Sequence, residues 1–519
     1  MLFASLHSLV ILFRSKRSCP KGNAELECCL PGPLRFIPAS GEATVRRSAL
    51  PAMIRAGLAK FCVESPDSKK DGYLPGNHAQ LEAVMINLDT LRCDIDTSTS
   101  WGVQEYTTWQ DEQLSWKTSS YIGDWSWLDE FHIQGPDALR FLSDFAINSF
   151  AFFAVGQAKH AVFCNHDGKV IGEGVLMRLG EEEFEFQSRG PVVLWLEFNL
   201  AKGRYDAVSR TTISKFKLQV SGPTALAVLE KATGRSLRDI GFMRFARVRI
   251  GGVEVSFLRQ GMAGEIGFEL QGSGEKAGQV RAAVIEAGHG FGLRQLGSRT
   301  AMINHLEAAF PTITHDYLPA VSGEAEHDFF ARHAGTRPQH GTAAWFKSFA
   351  RALKVKGSFE GTKLNDWYRS PIELGWGKSV KFDHDFHGRV ALEHEIAAPQ
   401  RTLVSLEWNR EDVIDVYASL FDEGETYDYM EMPRHSWNAM YASKVVDGDE
   451  VVGVATSRGY SYYFRKMLSH CVIDIEHATP GTEVAVIWGD PGTKQKIIRA
   501  IVAPSPYKRD NRRVDLATN

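Results

Sequence analysis

Three glycines and two acids stand close together in Gly261-Met262-Ala263-Gly264-Glu265-Ile266-Gly267-Phe268-Glu269, directly after a predicted strand. Glycines in such a run let backbone come close to a ligand, and a carboxylate beyond them can accept two parallel N–H bonds from a planar amidine-like edge. Pterins present such an edge. The same residues also spell a tight turn running into a strand. Other arrangements fail on spacing. Gly377-Lys378-Ser379 resembles the end of a phosphate-binding loop, but Ile372 stands where that loop needs glycine. His384 and His387 beside Asp383 and Asp385 have no third ligand cluster, so they read as a solvated turn. Gly-x-Ser-x-Gly and a strand followed by Gly-x-Gly-x-x-Gly are both missing, which removes a hydrolase elbow and a dinucleotide site.

Aromatic residues are the second signal. Trp101, Trp109, Trp116, Trp125 and Trp127 fall within 27 positions. Such faces stack on flat rings, although buried tryptophans more often fill core; Trp125 and Trp127 are the pocket candidates.

The elements that would position these groups alternate in type from about 76 to 320. Pro136 to Phe145 reads as a helix opened by proline, and Ala161 to Leu179 as a hairpin turning at Asp167-Gly168. Ser221-Gly222-Pro223 introduces a second helical run, after which Ala246 to Ile250 and Val253 to Leu258 flank Gly251-Gly252 as another hairpin. Strand, helix, hairpin thus occurs twice, which predicts an α+β architecture with two related halves. Residues 321–365 read as a loop-rich insertion. Beyond 388, short segments such as Thr402–Trp408, Glu450–Thr456, Leu468–Ile475 and Glu483–Trp488 predict a small β-domain to about 505, with 506–519 as a tail. Residues 1–75 read as an extension: the first 52 lack periodicity, and in Met1–Phe13 the positive charges follow the apolar run, unlike a secretory signal.

Composition agrees with a soluble enzyme. The 519 residues are 44% hydrophobic and 24% charged, and a net charge of −4 offers no field for nucleic acid. No apolar run is long enough to span a bilayer. Seven cysteines without a Cys-x-x-Cys pair suit reduced thiols in the cytoplasm.

Four segments in order carry a family resemblance: Gln187-Ser188-Arg189-Gly190, the Gly261–Glu269 run, Gly297-Ser298-Arg299 leading to Leu306-Glu307-Ala308, and Pro371–Phe382 followed by Asp385-Phe386-His387-Gly388-Arg389. Together they resemble the glycine cleavage T-protein, a tetrahydrofolate-dependent aminomethyltransferase, over about 100–505. The interval from Gly297 to Glu307, with Trp109–Lys117, Asp144–Ser149, Phe382–Phe386 and Gly459–Tyr462, is similar to the tetrahydrofolate-dependent vanillate and syringate O-demethylases. The resemblance implies two related folate-binding subdomains around a central channel and a C-terminal β-barrel. It implies Glu269, with Gly264, Gly267 and Tyr460, for folate, and Arg189 against an aromatic carboxylate, with Trp125, Trp127 and Phe310 around the ring. A structural salt bridge is the competing role for Arg189. Glu173 stands where the T-protein has an acidic pair, or is only a strand-end carboxylate.

One departure bears on the chemistry. Ala301 stands where the vanillate-type enzymes have a catalytic tyrosine, and a methyl cannot transfer a proton. His305, His315 and Tyr317 are then the candidate donors, with Tyr460 next. The expected activity is methyl transfer from a methoxylated aromatic acid to N5 of tetrahydrofolate, without a metal. Demethylation of an amine or sulfonium, and folate binding without catalysis, are the alternatives.

Overall fold

Two stretches of similar sequence build the same local structure twice. Strand β1 (Ser120–Asp124) precedes the first copy, which begins at β2 (Asp129–Gln134), passes Gly135-Pro136 and enters helix α1 (Ala138–Phe145). Hairpin β3 (Ala158–Cys164) and β4 (Val170–Arg178), strand β5 (Glu183–Ser188), helix α2 (Pro191–Leu200) and β6 (Val208–Thr212) complete that half. The second copy runs β7 (Lys215–Ser221), Gly222-Pro223, helix α3 (Ala225–Thr233), hairpin β8 (Phe245–Ile250) and β9 (Val253–Arg259), β10 (Gly267–Ser273), helix α4 (Ala277–Gly288) and β11 (Leu293–Gln295). The computed structural model describes residues 103–189, 191–321, 326–329, 354–434 and 439–516. Most of the 321–365 segment, residues 1–102 and the last three residues therefore lie outside the described residues.

The glycine before each proline shows why the copies match. Gly135 has φ +137° and Gly222 has φ +134°, and a Cβ at either would meet a backbone oxygen at 2.6 or 2.5 Å. Only glycine allows that crossing of strand end and neighbouring loop. The second hairpin turns on Gly251 and Gly252, both at positive φ, as a two-residue turn requires. The first uses a longer loop closed by Asn165, whose side-chain oxygen accepts from the Asp167 and Lys169 amides.

Each half is a sheet with its helices packed on one face. The first sheet has the order β3-β4-β5-β2-β6, and the second β11-β1-β7-β10-β9-β8, so β2, β3, β4 and β5 correspond to β7, β8, β9 and β10. Phe131, Ile133, Phe141, Phe184, Phe186 and Leu196 centre the first core. Phe216, Leu218, Val220, Leu229, Phe257 and Phe268 centre the second. Helix α5 (Ser298–Glu307) follows, then the short pairing of β12 (Lys354–Lys356) with β14 (Ala439–Tyr441) around helix α6 (Arg389–Ala397) and β13 (Arg401–Trp408).

The C-terminal region closes a six-stranded barrel, β13-β17-β16-β15-β18-β19, with β15 (Ser443–Asp447), β16 (Glu450–Ser461), β17 (Lys466–Asp474), β18 (Glu483–Trp488) and β19 (Lys496–Ala503). The architecture is thus α+β with a terminal barrel. The segment after the barrel is more than a trailing end. Lys508 donates to the Gly264 carbonyl at 3.0 Å and to Glu265 at 2.5 Å, Asn511 also bonds Glu265, and Leu516 is buried in the second core. Among the described residues, no helix is long and apolar enough to cross a membrane.

Candidate active site

A cavity of about 1060 Å³ takes its walls from both halves: from β3, β4 and the end of β5 on one side, and from β10 and the loop before it on the other. The segment after α5, residues 374–381 and the tail at 505–513 complete it. Small-molecule pockets usually measure about 300–1,000 Å³, so this one has room for two ligands side by side.

On the second-half side stands Glu269, fully buried on β10. Its Oε2 accepts from Gln260 Nε2 at 2.8 Å and its Oε1 from Gln271 Nε2 at 2.5 Å. Each oxygen retains a lone pair for a further donor. Burial pushes this carboxyl above the usual range, while Gln271, Lys217 and Gln260 pull it back. Next to it in register on β7, Gln219 has a buried Oε1 without a hydrogen-bond partner. Gly261 lines the cavity, where a Cβ would sit 2.0 Å from the Glu265 carbonyl, so the loop must bring bare backbone to the wall.

The first-half side is built from a cation and aromatic rings. Arg189, at the end of β5, holds its guanidinium 4.7 Å from the Trp127 ring centroid. Among the described residues no carboxylate lies within ion-pair distance of it. Burial lowers it to about 10, partly offset by Glu173 and Tyr317. Phe310, Trp376 and His160 form the adjoining aromatic surface, with centroids 5.1–6.0 Å apart. Phe310 owes its place to Ala309, which takes φ +50° just past the end of α5, a left-handed conformation uncommon outside glycine. His160 Nε2 lies 2.9 Å from Glu173 Oε2, and both residues line the cavity.

His305 also reaches the cavity. Its Nδ1 pairs with Thr312 Oγ1 at 3.1 Å, and Nε2 is buried without a partner. Burial, then the positive charges of Arg189 and His470, bring its pKa down to about 3, which fixes the ring as neutral imidazole at ordinary pH. Beneath the wall, Asp316 accepts from His470 Nδ1 at 3.0 Å, from Thr456 and from the Thr312 amide. Burial alone would raise Asp316, but His470 and these bonds hold it at about 2.

The cavity therefore gathers Arg189, Trp125, Trp127, Phe310, Glu269 and His305 from the residues singled out in the sequence. Glu173 lines it as well, whereas His315, Tyr317, Gly264, Gly267 and Tyr460 do not. His315 and Tyr317 are buried behind the wall, and the Tyr317 hydroxyl, raised well above 10 by burial, has no hydrogen-bond partner. Gly264 sits under the tail, its carbonyl bonded to Lys508 and Asn511. Gly267 lets β10 pack on β7, where a Cβ would meet Ser221 at 2.7 Å. Tyr460 belongs to the seam between the barrel and the helix Trp109–Thr118, edge-on to Trp109 at 6.1 Å. Ala301 is fully buried in an apolar cluster with Trp116, Tyr121 and Trp125. His384 is tied to Asp383 and the Ala146 carbonyl, and no group of three metal-ligating side chains occurs among the described residues. Four lining residues had no motif of their own: His160, Gln260 and the tail arginines Arg512 and Arg513. Trp376 lay inside the Pro371–Phe382 segment without being singled out.

Residues 78–330 match the GCVT N-terminal domain. The chain is 35% identical over 426 residues to a syringate O-demethylase of Sphingobium sp. (strain NBRC 103272 / SYK-6), covering 78% of this chain and 89% of that protein. It is 34% identical over 431 residues to a sesamin methylene transferase of Sinomonas sp. (strain No.22), covering 80% and 92%. An aminomethyltransferase of Halalkalibacterium halodurans is 27% identical, covering 78% and 92%. The chain belongs to the GCVT family. The aminomethyltransferase T structure from Bartonella henselae shares the fold, with a TM-score of 0.59 at 16% identity over 84% of this chain and 98% of that one.

As a GCVT-family enzyme, the protein is a methyltransferase whose methyl-accepting cosubstrate is tetrahydrofolate. The residues present fit that group. Glu269, fixed by two amides with an unpaired Gln219 oxygen beside it, offers acceptors to a planar N–H edge, and Gly261 opens the backbone to it.

Proposed function

We propose that this GCVT-family enzyme transfers a methyl group from a methoxylated aromatic acid to N5 of tetrahydrofolate, releasing a phenol. Arg189 carries the reading: a partly buried guanidinium with no carboxylate within ion-pair distance among the described residues, set against Trp127 and bordered by aromatic rings, suits a benzoate carboxylate. Glu269 takes the pterin edge from the opposite wall, so an aryl ether and N5 meet between the two halves. The reacting groups are then held in line, which supplies much of what an unactivated ether needs. The relatives named for syringate demethylation and sesamin methylene transfer support chemistry at the alkyl C–O bond of an aryl ether. Vanillate- or syringate-like lignin acids and chlorinated methoxybenzoates are the substrates of choice. Free, buried Cys164 and Cys471 suit a cytoplasmic setting.

The buried methyl of Ala301 favours a second reading, demethylation of an amine in its ammonium form or of a sulfonium, each of which releases a neutral leaving group and needs no further acid. Incubation with tetrahydrofolate and a panel of methoxybenzoates, dimethylamino compounds and sulfonium salts, read by mass spectrometry, separates the two. Phenol together with 5-methyltetrahydrofolate is the expected outcome. Product from the amine or sulfonium alone would replace the first reading with the second.

A further inference from the structure

We propose that His160, oriented by Glu173, delivers the proton to the departing aryl oxygen, an inference that rests on the methyl transfer proposed above. That reaction needs a donor on the aromatic side of the cavity, and the alternatives there fail on geometry. Tyr317, His315 and Tyr460 do not reach the wall. His305 does, but its burial beside Arg189 keeps it a neutral ring whose Nδ1 is engaged by Thr312. Lys159 lines the cavity too, but its amine is engaged, donating to the Ser149 carbonyl at 2.7 Å near the Phe150 and Phe153 rings.

His160 meets each requirement. It lies on β3 with its ring edge-on to Trp376 at 5.1 Å and 5.5 Å from Phe310, so it borders the slot an aryl ring would fill. Its backbone is pinned, the carbonyl accepting from Asn148 at 3.0 Å. Glu173, one strand over, engages Nε2, and among the described residues no group hydrogen-bonds Nδ1. A carboxylate on one nitrogen fixes the ring's orientation and stands as counter-ion when the ring carries its second proton. Arg189 directly follows β5, two strands from β3, and strands stand about 4.8 Å apart, so the strands that carry the clamp and the imidazole lie roughly 10 Å from each other. An aromatic ring with a carboxylate at one end and a methoxy group at the other spans that gap.

The step balances. The methyl–oxygen bond breaks with both electrons staying on oxygen, and the methyl carbon bonds to the lone pair of N5. Oxygen takes the Nδ1 proton of His160, whose Nε2–H stays on Glu173. The proton that N5 releases restores the ring, so methoxyarene and tetrahydrofolate give phenol and 5-methyltetrahydrofolate with no oxidant.

His160→Gln and Glu173→Gln test the assignment, with tetrahydrofolate binding by calorimetry as the check that each variant is folded. His160→Gln should lose 10²–10⁴-fold in turnover of a methoxybenzoate at unchanged folate affinity. The loss should shrink by at least tenfold for a nitro-substituted substrate, whose phenolate leaves without a proton. Glu173→Gln should retain intermediate activity with a displaced pH profile. If His160→Gln turns over within threefold of wild type, or loses equally on both substrates, His160 is not the donor. A wild-type enzyme that releases no phenol from any methoxybenzoate overturns the underlying reading and this one with it, whereas an active wild type beside an active His160→Gln overturns this one alone.

Discussion

The repeated strand of the first half reads Phe184-Glu185-Phe186-Gln187, and that of the second reads Phe268-Glu269-Leu270-Gln271. The two strands come from different sheets yet are joined by reciprocal amide bonds, Gln187 Nε2 to Gln271 Oε1 at 2.7 Å and the reverse at 2.9 Å. Equivalent glutamates have opposite fates. Glu185 lies 2.5 Å from Lys215, and its other oxygen accepts from Gln187. Among the described residues Glu269 has no lysine within ion-pair distance, only amides, and it lines the cavity. An ammonium on a carboxylate satisfies it, whereas neutral amides hold it in place while leaving its charge to a ligand. One copy of the motif thus carries its own counter-cation while the other leaves its carboxylate to the cavity, and the difference is the lysine.

The largest effect expected from this contrast is on folate affinity. Glu269→Ala removes charge-assisted contacts worth roughly 1.5–3 kcal/mol each, so calorimetry should show at least a tenfold weaker dissociation constant with circular dichroism unchanged. Glu185→Ala should lower the melting temperature and leave folate affinity within threefold. Equal losses from both variants would mean that the two glutamates share one role.

The second expectation concerns acid stability. His305 is held at about 3, against roughly 6.5 for an unfolded histidine, so the unfolded chain takes up its proton first as pH falls. The stability tied to this neutral ring is complete above about pH 6.5, declines below it and is gone below about 3, a contribution on the order of several kcal/mol. His305→Gln should flatten the denaturation midpoint against pH over that window. An unaltered pH profile in the variant would show that burial beside Arg189 does not set the protonation of this ring.

How far the sequence reached follows from what each feature depends on. The doubled Gly-Pro helix starts, the Gly251-Gly252 turn and the barrel strands are local signals, and strand limits such as Glu483–Trp488 match the reading residue for residue. Glu269 and Arg189 stand in segments that resemble the family, so their positions were legible as well. His160 was not, because its place depends on β3 lying beside β4 and on Trp376 arriving from more than 200 residues away. The glycines Gly264 and Gly267 misled for a physical reason: a glycine needed for a turn or for strand packing has the same spelling as one that admits a ligand. The tail misled in the opposite direction, since Lys508 and Leu516 carry no periodicity and find their partners only across the fold.

A smaller effect sharpens the contrast on the substrate side. Arg189→Lys keeps the charge but loses the planar fork and its stacking on Trp127, so KM for a methoxybenzoate should rise about tenfold while folate affinity stays constant. A fall in folate affinity with KM unchanged would move Arg189 to the cosubstrate's wall.

The smallest effect lies in the amides that join the two strands. Gln271 Nε2 serves Glu269 and Gln187 at once, whereas Gln187 Nε2 serves Glu185 and Gln271. Replacing either by leucine breaks the reciprocal pair and leaves buried acceptors short of a donor, each worth about 1–3 kcal/mol, so both variants should lose similar stability. Their effects on folate should differ. Gln271→Leu takes a donor from Glu269 itself, so its carboxyl should rise further and accept from the pterin N–H edge less well at neutral pH, by about three- to tenfold. Gln187→Leu removes a donor from Glu185, which Lys215 still neutralises, and should leave folate affinity unchanged. Equal folate losses in the two variants would show that the amide pair transmits strain between the halves, and that the lysine is not what separates the structural glutamate from the binding one.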